Sequence, residues 1–214
     1  MGAMTDTESG TYAGIDERIA ANGSASIWVG DCAHLRGKEP GDIESELEHE
    51  DDTADQRSGW KVFPPRSSVS RKAGLEESAT AKPEGDAVQF SLAIARRSDD
   101  RRVGVINVYG ADLVNGTFNF GVSVRAAYKG QGYAGEAVLL VMRYMFDERR
   151  LQKCESVAYD YNSGSLALHR KLGFVEEGRR RRHAFVGGSF QDLVLFGMTV
   201  EEFHERYPKL RPPL

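Results

Sequence analysis

Residues 120–137, Phe-Gly-Val-Ser-Val-Arg-Ala-Ala-Tyr-Lys-Gly-Gln-Gly-Tyr-Ala-Gly-Glu-Ala, constrain the fold more than any other part of the chain. An apolar, β-branched strand runs into a glycine-punctuated turn, and the turn leads directly into a long helical segment. Gly130 and Gly132 leave backbone N–H groups without side-chain cover where the helix begins. A helix N-terminus carries unpaired donors and the positive end of the macrodipole, so this one suits a phosphate or pyrophosphate. Lys129 adds a mobile positive charge at the same place. Alone, a Gly-x-Gly fragment is a plain connection; the sequence around it decides whether it is more.

From residue 88 onward the patterning is sharp. Strands are predicted at 88–95 and 102–109, joined by the turn Ser98-Asp-Asp100, and a turn at 114–117 leads to a strand over 118–124. The helix over 135–149 carries Val138, Val141, Met142, Met145 and Phe146 at helical spacing. A strand at 156–161, a helix at 163–172 stopped by Gly173, and strands at 176–185 and 191–198 follow. Before residue 88 a first strand is predicted at 27–35, a short acidic helix opens at 40–47 with Asp42 as N-cap, and a second helix falls within 67–79. This order predicts an α+β fold: one mixed, mostly antiparallel sheet of about seven strands flanked by about four helices. Residues 1–25, rich in Gly, Ser, Thr, Ala and Asp, are expected to be poorly ordered, with 1–3 as a tag remnant. A single domain is expected over 26–205, with 206–214 as a tail.

A chain of 214 residues, 40% of them apolar, suits one such domain. The formal net charge of −4 gives no global pull toward nucleic acid or an anionic membrane, and neither is expected as a partner. No apolar run is long enough to span a bilayer. Cys32 and Cys154 lie far apart without ligand spacing, so neither a disulfide framework nor a metal site is expected, and a reducing cytoplasmic compartment fits.

The second constellation is residues 162–174, Asn-Ser-Gly-Ser-Leu-Ala-Leu-His-Arg-Lys-Leu-Gly-Phe. Read from its residues, Asn162 caps a helix, Gly173 ends it and Phe174 is an aromatic anchor. Together with 129–134, Lys-Gly-Gln-Gly-Tyr-Ala, it resembles the GNAT acetyltransferases, whose coenzyme motif is Arg/Gln-x-x-Gly-x-Gly/Ala and whose late motif is Asn-x-x-Ala/Ser-x-x-x-Tyr-x-Lys-x-Gly-Phe. Tyr128, residues 135–137, and the block 187–198 with its Gly-Gly-Ser-Phe-Gln-Asp start are similar to the RimJ/RimL branch, the ribosomal-protein N-acetyltransferases. Residues 60–65, Trp-Lys-Val-Phe-Pro-Pro, resemble that branch more weakly.

The resemblance implies acetyl-coenzyme A as acyl donor and an amine as acceptor. Its cofactor-binding residues carry over to Val122, Ser123, Val124, Lys129, Gly130, Gln131, Gly132, Tyr133, Ala134 and Asn162. Lys129 departs from the family's Arg or Gln, keeping charge but losing the planar fork. His169 stands where the family has a tyrosine near the coenzyme sulfur. Either it protonates the departing thiolate or it is a helix-surface histidine with no chemical duty. Asp160 is the nearest acidic candidate for a general base, or else a capping carboxylate. Residues Arg179 to Arg182 read either as phosphate contacts or as charges guarding a strand edge.

The acceptor stays open. An α-amine, with an ordinary pKa of about 7.7–8.0, needs less help than a lysine-type amine near 10.4, so a site without an obvious base fits a protein N-terminus. The acidic run 42–55 would instead favour a cationic acceptor such as a polyamine, an aminoglycoside or a basic peptide, unless it is a solvated helix face. A coenzyme A-binding sensor without turnover is the reading from another class. The assembly is a monomer or homodimer.

Overall fold

The computed structural model describes residues 14–50, 53–59, 61–80 and 88–211. A seven-stranded sheet forms its middle, in the order β1-β2-β3-β4-β5-β7-β6. The strands are β1 (Ala33–Arg36), β2 (Phe90–Arg96), β3 (Arg102–Asp112), β4 (Thr117–Val124), β5 (Lys153–Tyr159), β6 (Val175–Val186) and β7 (Ser189–Thr199). Every neighbouring pair is antiparallel except β4 and β5, which are parallel. A parallel pair needs a crossover, and the helix α5 (Tyr133–Arg143) supplies it. Seven α-helical segments are described: α1 (Ile15–Ala20), α2 (Ile43–Glu50), α3 (Thr53–Ser58), α4 (Ser68–Thr80), α5, α6 (Ser163–Leu172) and α7 (Val200–Arg206). That is more than the four expected, because several are too short to leave a periodic signature.

The core follows from α5. Its residues Ala137 to Met142 are all fully buried, so it reads as apolar all round. It packs against β1, β2, β3 and β4. At its end the helix widens into a π turn, Tyr144–Glu148, with Arg149 N–H reaching back to the Tyr144 carbonyl. That turn directs Phe146 between Phe118 of β4 and Phe203 of α7, at ring separations of 5.5 and 5.3 Å.

The start and end of the chain depart from expectation. Within the segment expected to be poorly ordered, Ile15–Ala20 forms α1, with Ile15 and Ile19 buried; residues 1–13 lie outside the described residues. The tail is likewise part of the domain. Tyr207 and Leu210 are buried, Tyr207 Oη donates to the Leu172 carbonyl, and the 3-10 turn Pro208–Leu210 packs on α1. The first strand is shorter and later than predicted: Val29 makes one bridge to His34 and the ladder with β2 begins at Ala33. The cause is Glu136, whose carboxylate takes the N–H groups of Asp31 and Cys32 ahead of the ladder and that of Ala33 at its first pair. Asp42 is the last residue of a 3-10 turn rather than a simple N-cap; its carboxylate accepts from Glu39 N–H. No helix among the described residues is long and apolar enough to cross a membrane.

Candidate active site

The β4 to α5 connection builds one end of a groove. A 3-10 turn, Ala126–Tyr128, is followed by Gly130 and Gly132 at φ 78° and 93°, and α5 starts at Tyr133. These left-handed values are what glycine supplies without strain. The first bond of the helix runs from Glu136 N–H to the Gly132 carbonyl, so the donors of Tyr133, Ala134 and Gly135 have no intrahelical acceptor. No side chain caps them. Around the position of a Gly130 Cβ there is no atom within 4 Å, so the turn is open to a bulky anion. Lys129, Gly130, Gly132, Tyr133 and Ala134 line the groove here. Gln131 does not: its side-chain amide turns back to the Ala127 carbonyl at 3.2 Å.

The middle of the groove is a split in the sheet. β4 and β5 pair only from Thr117–Lys153 to Asn119–Glu155, and beyond those residues they separate. From Phe120 to Val124, β4 is paired with β3 on one edge and, among the described residues, has no strand on the other. That edge presents unpaired backbone N–H and C=O groups to the groove, which Val122, Ser123 and Val124 line. Opposite stand Ser156 to Tyr159 of β5 and residues of α6; Asn107 and Tyr109 of β3 complete the wall. The groove encloses about 1640 Å³. Burial raises the phenolic pKa of Tyr109 and of Tyr159, so both present neutral hydroxyls.

Asn162 occupies the expected place and does two things. Its Oδ1 accepts from Ser165 N–H at 3.0 Å as the cap of α6, and its Nδ2 donates to the Ser58 carbonyl at 2.9 Å. With Tyr161 Oη donating to the Arg57 carbonyl, this ties α3 to the β5–α6 loop. Residues Lys61 to Arg66 continue from α3 along the groove; Trp60 lies outside the described residues.

His169 is not a surface residue. It is 2% exposed, stacked on Phe196 at 4.7 Å and Phe120 at 5.7 Å, with Phe174 edge-on. Its Nδ1 lies 2.7 Å from the Ser165 carbonyl, an acceptor only, so Nδ1 carries the proton. Nε2 is then a lone pair, 2.9 Å from Ser156 Oγ, which donates to it. Burial lowers the imidazole pKa more than the Ser165 hydrogen bond raises it, so the ring is neutral near pH 7. A neutral ring with its only N–H on a backbone carbonyl has no proton aimed at the groove, and direct donation to a thiolate does not fit. Asp160 is also displaced from its expected role. Its Oδ1 accepts from Asp192 N–H at 3.2 Å, its other oxygen lies 3.6 Å from Arg179, and it does not line the groove. The carboxylate clasps the end of β5 to β7 and β6.

Arg179 pairs with Asp192 and Asp160, and none of Arg179 to Arg182 lines the groove. They lie on β6, an outer strand of the sheet, as edge charges. Of the acidic run, Asp42 is bound bidentately by Arg36 at 2.8 and 3.0 Å and does not face an acceptor. Burial opposes ionisation of Asp42, but the Arg36 hydrogen bonds outweigh it and lower the pKa. Glu44 is exposed, and the side chains of the remaining acidic residues through Asp55 lie outside the described residues. Cys32 and Cys154 are free thiols, and burial raises both pKa values.

Sequence reasoning passed over Ser156 and Tyr159. Both are ordinary strand residues by pattern, and only the β4–β5 split turns them toward a ligand space.

Residues 34–175 match the model of the acetyltransferase (GNAT) domain. The chain is 36% identical over 180 residues to the SPbeta prophage-derived uncharacterized N-acetyltransferase YokL of Bacillus subtilis (strain 168), spanning 84% of this chain and 97% of that protein. The putative ribosomal N-acetyltransferase YdaF of the same organism is 29% identical over 105 residues, 49% of this chain and 57% of that protein. Among solved structures, spermidine N-acetyltransferase from Vibrio cholerae in complex with CoA and spermine shares the fold with a TM-score of 0.68 at 17% identity, covering 81% of this chain and 99% of that one. The open glycine turn, the uncapped helix start and the split sheet fit a coenzyme's phosphates and its extended arm, and the match extends over more than half of the sequence. The chain therefore belongs to the GNAT acetyltransferase family, as an N-acetyltransferase that draws its acetyl group from acetyl-coenzyme A.

Proposed function

We propose that this enzyme acetylates a weakly basic primary amine, with a protein N-terminus as the acceptor class, as in the RimJ/RimL branch. One observation carries this reading: Asp160, the carboxylate nearest the motif region, is clasped by Asp192 N–H and Arg179 instead of facing the groove, whose described lining offers hydroxyls, amides and aromatic rings. An α-amine with a pKa of about 7.7–8.0 is substantially unprotonated near neutrality, whereas an amine near 10.4 needs a strong base to become nucleophilic. The polyamine reading keeps one support, the acidic residues Asp51 and Asp52 just before α3, whose Thr53 and Gln56 line the groove. Nothing among the described residues of the groove favours the sensor reading over turnover.

In this reading the α5 start and Lys129 hold the coenzyme phosphates, while Val122, Ser123, Val124 and Asn162 border its arm. The thioester supplies an activated acetyl group. A backbone N–H on the open edge of β4 polarises the acetyl carbonyl and stabilises the charge that develops there. Holding amine and thioester together in the split supplies the proximity term.

Free-thiol release tests the acceptor class. The panel is peptides with free N-termini, the same peptides with blocked N-termini and a free lysine, and spermidine. Free α-amines are expected to be turned over best, with kcat/KM rising with pH through the α-amine pKa. Preference for spermidine or for blocked, lysine-bearing peptides would overturn the reading.

A further inference from the structure

The last pair that joins β4 to β5 is Asn119–Glu155, and the next residue on each strand flanks His169: Phe120 stacks on its ring and Ser156 bonds its Nε2. The apex of the split therefore ends on a serine–histidine pair that also lines the groove. Ser156 is 3% exposed and its hydroxyl proton is committed to a nitrogen lone pair. The far side of the ring is fixed in turn by the Ser165 carbonyl, so the tautomer is set by the fold. This arrangement exceeds what burial of a polar pair requires. A neutral histidine could be satisfied by one carbonyl and a water, yet here Nε2 takes the hydroxyl of a residue that lines the groove beside it.

We propose that Ser156 is a catalytic hydroxyl of the acetyl transfer and that His169 is its positioning residue, which stores one proton during the reaction. The proposal rests on the acetyltransferase activity and not on the identity of the acceptor. As the amine nitrogen bonds to the acetyl carbon, its N–H proton passes to Ser156 Oγ, and the hydroxyl proton of Ser156 passes to His169 Nε2. The ring becomes an imidazolium lying between the faces of Phe120 and Phe196, which attract a cation. As the carbon–sulfur bond breaks, Nε2 returns its proton to Ser156 and the serine gives its own to the thiolate. Amine and thioester become amide and thiol, and both residues end as they began. One relay thus serves as base and then as acid.

Two measurements test this. The first is ¹⁵N NMR of the histidine rings in the parent and in Ser156→Ala. Expected is a neutral His169 with a proton on Nδ1, and an Nε2 resonance that moves in the variant. A proton on Nε2, or an Nε2 signal indifferent to Ser156→Ala, overturns the relay. The second is steady-state kinetics with whichever amine of the panel is turned over fastest. Ser156→Ala should lower kcat by about 10²-fold at unchanged KM for acetyl-coenzyme A. His169→Gln, which accepts a hydrogen bond but stores no proton, should lose as much, and the double variant no more, because the two act as a unit. Should His169→Gln fail to fold, Ser156→Ala decides alone, and parental kcat in that variant overturns the proposal. A panel preference for spermidine would sink the α-amine reading and leave these ratios untouched.

Discussion

Glu136 accepts from the N–H groups of Asp31 at 2.6 Å, Cys32 at 3.0 Å and Ala33 at 2.6 Å, and it is 1% exposed. A buried carboxylate is tolerable because these donors and the start of α5 surround it with positive charge density. Gly30 must be glycine, since a Cβ there would lie 2.3 Å from the Glu136 carboxyl carbon. Glu136→Ala leaves three donors unmet, and an equilibrium urea titration should show a loss on the order of 3 kcal/mol or more. A loss under about 1 kcal/mol would mean that water replaces the carboxylate freely. His169 gives a prediction in pH. Its folded pKa lies below its ordinary value of 6.5, so the unfolded chain takes the proton first as pH falls. Its contribution is complete above about pH 6.5 and declines below that, toward the folded pKa, with a limiting slope of about 1.4 kcal/mol per unit. Denaturation of parent and His169→Phe between pH 7.5 and 5 should show the parent losing stability more steeply; parallel curves would refute the depressed pKa. At this scale Gly130, Gly132 and Asn162 were legible because backbone conformation and capping demand those residue types. Glu136 was not, because its partners lie about a hundred residues earlier, and the stacking of Phe196 on His169 is equally invisible in a local pattern.

At the scale of elements, the strands and helices between Phe90 and Thr199 lie close to where hydrophobic period places them, and α6 has its predicted bounds. Those elements are long enough to repeat a pattern, and turns with glycine or aspartate separate them. The short pieces escaped. α1 has six residues, one and a half turns, and its only signal is Ile15 and Ile19 four apart inside a small-residue, polar stretch. The end of α7 and the tail carry Phe203, Tyr207 and Leu210 at helical spacing, a stripe that becomes meaningful only when α1 is there to cover its end. These two elements, from opposite ends of the chain, close on each other beside the Leu172 carbonyl that receives Tyr207. Ile19→Ala should therefore lower stability by about 2–5 kcal/mol, as for a fully buried aliphatic side chain. Thermal unfolding of that variant with and without acetyl-coenzyme A should show the same ligand-induced increment as the parent, since α1 does not line the groove. A destabilisation within about 0.5 kcal/mol, the range of surface positions, would show that α1 is an ornament on the domain.

For the whole molecule the electrostatic arrangement matters more than the total. The chain carries a net −4, yet the described residues that line its groove bear only positive formal charge. At the start of α5 the helix dipole and Lys129 act on the same end of the groove, so an anionic coenzyme should gain attraction there, and added salt should weaken that pull. Because acetyl-coenzyme A binds the folded state, it should stabilise that state by mass action, by about 2.7 kcal/mol at a hundredfold excess over Kd, and so raise the thermal midpoint. Gly132 is where that linkage can be cut. Its φ of 93° suits glycine alone, and it sits where the helix N-terminus meets the groove. Gly132→Ala introduces the backbone strain and no charge, so it should lower the unliganded midpoint while keeping part of the coenzyme increment. Gly132→Glu adds a carboxylate where the proposed site would hold the phosphates, and its increment should vanish. Differential scanning fluorimetry of parent and both variants, with and without acetyl-coenzyme A at low salt, separates strain from charge. A folded Gly132→Glu protein with the parental increment would place the coenzyme elsewhere on the molecule, and the glycine turn would then be a connection and nothing more.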